Sequence, residues 1–435
     1  MSDGVVREAL TVSEEDSYSV YKKVTWRIIP LLFIGLIAAY LDRVNVGFAK
    51  LQMLDTLGFS EKVYGFGAGI FFIGYFLFEV PSNIILHRIG ARRWIARIML
   101  TWGILSACTM FVTTPISFYV LRFLLGVAEA GFLPGVVLYL TYWFPTERRG
   151  KVMAIFLASL PICNIIGFPT SGWIMQSFNG VLGFHAWQWL FLLEAIPSVL
   201  IGVLILMMLD DRISEAKWLT SSEKIELERA LAAEASSKHG HSFRDALCSG
   251  KMWLLSLVYF CVVMGVYVVS FWLPTVIAQS GVRDPLAIGF LAAIPYVAGL
   301  IAMICVGAHS DRTRERRWHV TLPAIVGGVG IILSALFFDN TWLSVMAMTI
   351  ATAGVLSVIP VFWTLPSTFL GGTAAAAGIA MINSVGNLSG FVGTFFVGWI
   401  KDVTQNTNLI MYSLSAFLFL GGLLILAFPK DVANK

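Results

Sequence analysis

Twelve apolar runs of roughly bilayer-spanning length recur along this chain, at approximately 26–50, 63–86, 94–113, 117–141, 150–175, 187–209, 252–279, 288–308, 319–338, 342–365, 374–400 and 409–428. About 20 apolar residues suffice for a helix to cross the hydrocarbon core of a bilayer. Lipid offers no partner for backbone N–H and C=O groups, so spanning segments must be helices or closed barrels. Barrel strands alternate over about ten residues, and these runs do not alternate. The expected fold is therefore an all-α integral membrane protein with twelve transmembrane helices. Only 13% of the residues are charged, against about 25% in a soluble domain, so the lipid bilayer itself is a partner.

The basic residues indicate an orientation. With the N-terminus in the cytoplasm, inner segments carry 24 of the 30 Lys and Arg, and outer segments carry Lys50, Lys62, Arg283 and Lys401. That bias predicts both termini on the cytoplasmic side. Residues 1–25 read as a polar tail lacking the pattern of a cleavable signal peptide. The net charge of +4 reflects this placement and is not a nucleic-acid signal. The five cysteines lie in or near spans without CxxC spacing and read as packing residues.

Residues 210–251 interrupt the apolar pattern with 7 basic and 8 acidic residues. The stretch "SSEKIELERALAAEA" predicts a short amphipathic helix opened by a serine cap. This reads as a cytoplasmic linker between six-helix bundles at 26–209 and 252–428, with a tail at 429–435. The two bundles look like copies. "NIILHRIGARRW" at 83–94 aligns with "GAHSDRTRERRW" at 307–318 at an offset of 224 residues, and "NIIGF" at 164–168 with "NLSGF" at 387–391 at an offset of 223. Parallel six-helix repeats are a transporter architecture, with the substrate site at the midplane between them.

Charges inside spans are costly, about 2.5–3.5 kcal/mol each on insertion scales, and mark function or pairing. Six stand here: Asp42, Arg43, Glu79, Arg122, Glu129 and Glu194. Glu79, beside "VPSN", and Glu194, beside Pro197, read as structural or gating groups. Asp42 and Arg43 point to helix sectors about 100° apart, so one can face a central cavity while the other reaches a neighbouring helix. Arg122 and Glu129 are two turns apart on one face, with Arg122 nearer the outer surface. An arginine fork can clamp a carboxylate, and an enclosed carboxyl group can carry a proton. An arginine for an anion and an acid for a proton are the minimum equipment of a proton-coupled organic-anion carrier. "AEAGFLPG" and "IPVFWTLP" place helix breakers in the fourth and tenth spans, while Gly65, Gly69 and Gly74 permit close helix approach.

The loop Gly307-x-x-x-Asp311-Arg312-x-x-x-Arg316-Arg317 resembles the signature loop of the major facilitator superfamily. Its first-half copy carries Asn83 and His87 where the loop has glycine and aspartate. "YLDRVNVGFAK", "FEVPSNIILHRIGARRWIARIM", "YVLRFLLGVAEAGFLPG", "WQWLFLLEAIPSVL" and "FWTLPSTFLGGTAAAAGIAMINSVGN" are together similar to the anion:cation symporter family. Its bacterial members carry tartrate, phthalate, sugar acids or 4-hydroxyphenylacetate. The resemblance implies proton sites at Asp42 and Glu129. It implies a substrate pocket with Arg43, Arg122, Tyr40, Tyr75, Trp363 and Asn383, and gating or structural roles for Asp311, Arg312 and Arg88 in the paired loops and for Glu79. It further implies a functional monomer in the bacterial inner membrane that needs no cofactor beyond the coupling proton.

Other classes fit poorly. No GxxxxGK[ST] phosphate loop occurs. The histidines are scattered, and "HGH" at 239–241 lacks a third ligand at metal-site spacing. No catalytic residue or metal site is expected. An exporter or antiporter of the same fold is the alternative to an importer. Basic residues in the first and fourth spans favour an anionic substrate.

Overall fold

The computed structural model describes residues 14–237, 249–366, 372–404 and 406–433. They hold twelve helices long and apolar enough to cross a membrane. The first three spans are α1 (Glu14–Leu57), α2 (Glu61–Ile89) and α3 (Ala91–Cys108). The fourth is split into α4 (Pro115–Glu129) and α5 (Phe132–Thr141), and the fifth into α6 (Thr146–Leu157) and α7 (Ser159–Ser177). The sixth is α8 (Ala186–Met208), followed by the linker helix α9 (Ser221–Ser237). The second half comprises α10 (Gly250–Gln279), α11 (Pro285–Thr313), α12 (Arg317–Leu336), α13 (Thr341–Phe362), α14 (Gly372–Thr404) and α15 (Thr407–Leu424). The described residues start and end on one face, here the terminal face. On the opposite face the short connections are capped by Ser60, Thr114, Asp284, Asn340 and Asn406, whose side chains satisfy first-turn N–H groups.

The packing repeats as the sequence does. α1 contacts α7 and α8, α2 contacts α4, and α3 contacts α8; in the same way α10 contacts α14 and α15, α11 contacts α13, and α12 contacts α15. The halves meet through α2 on α14, α11 on α7, and α1 on α10. Gly65 and Gly289 carry the first two contacts, at the 224-residue offset of the repeat. A Cβ on Gly65 would lie 2.6 Å from the Thr394 carbonyl oxygen, and one on Gly289 would lie 2.4 Å from that of Phe168. Only a bare Cα permits such backbone approach.

Two boundaries differ from the sequence reading. Residues 14–25 are not a tail but the opening turns of α1. Val20, Tyr21 and Val24 are buried, with Tyr21 packed 6.2 Å from Phe144 and under the Arg148 guanidinium at 4.3 Å. Their polar neighbours masked this apolar stripe. In the linker, the cap of α9 is Thr220 rather than a serine. Glu223 N–H donates to Thr220 Oγ1 at 3.3 Å, and Thr220 N–H donates to Glu223 Oε2 at 2.7 Å, a reciprocal capping box. The linker is bound to the first half: Trp218 stacks on Trp143 at 5.8 Å, Lys23 pairs with Glu223 at 2.9 Å, and Asp211 accepts the Arg92 N–H at 2.8 Å. The "HGH" stretch, Cys248 and residues 1–13 lie outside the described residues.

On the opposite face the halves are latched. Glu61 of α2 accepts Lys401 of α14 at 2.6 Å and Lys50 of α1 at 2.7 Å. The Lys62 N–H donates to Asp402 at 3.1 Å, and Gln176 donates to Asp284 at 2.6 Å on the other flank. Glu61→Gln leaves two lysines without their shared anion and should shift the equilibrium toward an open opposite face by about tenfold. Spin labels on cysteines at Asp55 and Arg283, both exposed, would report this as a new longer-distance population. An unchanged distance distribution would remove the latch role.

Candidate functional site

The fourth span breaks where "AEAGFLPG" indicated. α4 ends at Glu129, and Gly131 adopts φ +88°, ψ 0° before α5 begins. A Cβ there would sit 2.2 Å from Ser82 Oγ, and the left-handed backbone favours glycine in any case. The break leaves Glu129 at the end of a half-helix, facing α1 at mid-span.

Arg43 is the hub of the site. Its Nη2 donates to Glu129 Oε1, and its Nη1 donates to the Tyr267 hydroxyl at 2.9 Å. Tyr267 in turn donates to Asn387 Oδ1 at 2.7 Å. The Tyr40, Phe71 and Tyr75 rings surround the guanidinium at 4.8, 5.2 and 5.2 Å. The expected companions Tyr40, Tyr75 and Glu129 therefore converge on Arg43 from α1, α2 and α4, while Tyr267 reaches it from the second half.

Asp42 points the other way, as adjacent helix positions require. Ser106 donates to its Oδ1 at 2.6 Å, and Trp102 and Ser198 donate to its Oδ2 at 3.1 and 2.5 Å. It ties α1 to α3 and α8 within the first half. Glu194 accepts from Ser171 at 2.6 Å and ties α8 to α7. Glu79 does cross the halves: Asn383 donates to Oε1 at 2.7 Å and Ser384 to Oε2 at 2.6 Å. Asn383, expected in the pocket, is thus occupied by a carboxylate of the protein itself. Trp363 caps α13 and lies edge-on to Tyr259 at 4.9 Å.

Arg122 is fully buried on α4, yet none of its three guanidinium nitrogens has a hydrogen-bond partner. It does not join the Arg43 network. Both touch the same ring, Phe71, which lies 5.0 Å from Arg122. The signature-loop residues lie apart from this cluster. Asp311 pairs within its own loop with Arg316 at 2.6 Å, and Arg88 and Arg312 are exposed. Among the described residues, none of these three bonds across the halves: Asp311 is taken by Arg316, and all three side chains are exposed. The histidines are also less scattered than they read: His309 and His319 meet at 2.7 Å, and His319 bonds Glu315 at 3.1 Å.

Sequence reasoning missed Tyr267, Asn387 and Ser384. A signal for Tyr267 existed: it stands 224 residues after Arg43, the offset of the repeat. Equivalent positions on α1 and α10 meet where the symmetry axis passes between the halves.

Twelve spans in matching sixes, with a charged cluster enclosed where the halves meet, define a membrane carrier rather than an enzyme. The chain belongs to the Major Facilitator Superfamily, whose family model matches residues 32–394. It is 51% identical over 96% of its length, and 96% of the relative's, to a Pseudomonas putida protein named "Putative metabolite transport protein NicT". It is 45% identical over 99% of its length, and 96% of the relative's, to an Agrobacterium vitis protein named "Putative tartrate transporter". Its fold matches a partially occluded, inward-open structure of the xylose transporter XylE from E. coli with a TM-score of 0.74, covering 93% of this chain and 99% of that one at 15% identity.

Proposed function

We propose that this carrier imports a small organic carboxylate, a tartrate-like hydroxy acid, sugar acid or aromatic acid, together with protons. On this reading it works as a monomer in the bacterial inner membrane, with both termini cytoplasmic. The observation that carries the proposal is the buried ion pair between Arg43 and Glu129. A substrate carboxylate and the Glu129 carboxylate compete for one guanidinium. Protonating Glu129 ends its claim on Arg43 and frees a planar fork for the substrate. Binding of proton and anion is thereby linked without direct contact between them. Asp42, held by three donors, is the proposed second proton site, and its protonation would loosen α1 from α3 and α8.

In the cycle that follows, the opposite face is extracellular and the latch at Glu61 closes it behind the substrate. Tyr267 and Asn387 belong to the second half, so a substrate displacing Glu129 is held by both halves as they rock. More than one proton per monovalent anion would let the membrane potential assist, at about 2.3 kcal/mol per charge per 100 mV.

The test is uptake into proteoliposomes under an inward proton gradient, with labelled tartrate, phthalate, 4-hydroxyphenylacetate and a sugar acid. Concentrative uptake of one acid, abolished by a protonophore, is the expected result. No uptake by folded, inserted protein would overturn import and favour an exporter of the same fold.

A further inference from the structure

Arg122 is a full positive charge at 0% exposure with no hydrogen bond on Nε, Nη1 or Nη2. A buried ion without a partner is strongly disfavoured, so such a group calls for an anion. Glu129, on the same helix, is committed to Arg43. The groups that lead from Arg122 toward the opposite face are also donors. Tyr64 stands on α2, which packs against α4, the helix that carries Arg122. Tyr64 packs edge-on against Trp272 at 5.7 Å. Both the Tyr64 hydroxyl and Trp272 Nε1 are buried and unpartnered. The Lys50 ammonium sits 5.0 Å from each of these rings and shares Glu61 with Lys401. Two cations and two free donors are thus buried between Arg122 and the latch, where Glu61 is the acidic partner of Lys50.

The Phe71 ring stands beside both arginines. It is 5.0 Å from Arg122 and 5.2 Å from Arg43, so one aromatic side chain contacts both guanidinium groups. We propose that Arg122, Tyr64, Trp272 and Lys50 form a second carboxylate site, an antechamber between the latch and Phe71, that holds a second molecule of the transported acid. The assignment rests on the carboxylate reading above and extends it. When the latch opens, Lys401 and Trp272 withdraw with the second half, and Lys50 and Arg122 present an anion-attracting vestibule. A molecule waiting there reaches Arg43 once Phe71 turns aside.

The experiment is equilibrium dialysis of the purified carrier with radiolabelled tartrate and 4-hydroxyphenylacetate. Two molecules of the bound acid per carrier are expected in the wild type. Arg122→Met should reduce this to one and change the affinity of the remaining site by less than about threefold. Methionine replaces an uncompensated charge with an apolar chain of similar length, so the fold should tolerate it. Arg43→Met combined with Glu129→Gln removes the other ion pair as a unit and should also leave one molecule, lost on adding Arg122→Met. Tyr64→Phe deletes one hydroxyl and should weaken the second site about tenfold. One molecule per wild-type carrier, or two that survive Arg122→Met, would overturn the antechamber while leaving the Arg43 site standing. Binding of neither acid by the wild type would overturn both readings.

Discussion

Glu129→Gln is expected to abolish concentrative uptake while sparing exchange of labelled for unlabelled substrate. Glutamine has the shape of glutamate but cannot hold Arg43 through a charge. The guanidinium is then available whether or not a proton is present. Substrate binding loses its pH dependence, whereas in the wild type affinity falls as pH rises, because deprotonated Glu129 reclaims Arg43. Counterflow needs only binding and rocking, so it should persist near wild-type rates. Uphill uptake needs the anion to wait for the proton, so accumulation should collapse to simple equilibration. Substrate affinity measured across pH together with proton-driven accumulation decides the matter. Retained uphill uptake would show that Glu129 is not the coupling group.

Arg43→Lys should cost about 100-fold in substrate affinity although the charge is kept. Arg43 serves Glu129 and Tyr267 at once through two different nitrogens, and its plane is enclosed by three aromatic rings. A lysine ammonium is a point donor that cannot span both partners in that geometry. Losing one charge-assisted hydrogen bond and the fitted stacking is worth about 3 kcal/mol, or about two powers of ten in the dissociation constant. Thermal unfolding should move little, because the charge balance of the buried pair is preserved. Unaltered affinity in Arg43→Lys would assign substrate recognition elsewhere in the site.

Much of the architecture was legible along the chain. Hydropathy marked all twelve spans because a lipid-embedded helix must be apolar over its whole length, a local property that needs no partner. The repeat offset of 224 was visible in the paired loops, and it relates Gly65 to Gly289 and Arg43 to Tyr267. The break before Gly131 was written in glycine and proline chemistry. The charges inside spans were conspicuous because lipid makes them rare.

What the chain could not display was which charge answers which. Arg43 and Glu129 are 86 residues apart, Glu79 and Asn383 are 304 apart, and only packing brings them within bonding distance. Packing likewise left Arg122 alone two turns from Glu129, turned Asp42 away from Arg43 toward three donors, and confined Asp311 to Arg316. Span, topology and the presence of buried charge follow from the solvent each residue must tolerate, which sequence records position by position. Pairing, the closed face and the solitary arginine follow from which helix surfaces are pressed together, and that is decided only when the two halves meet.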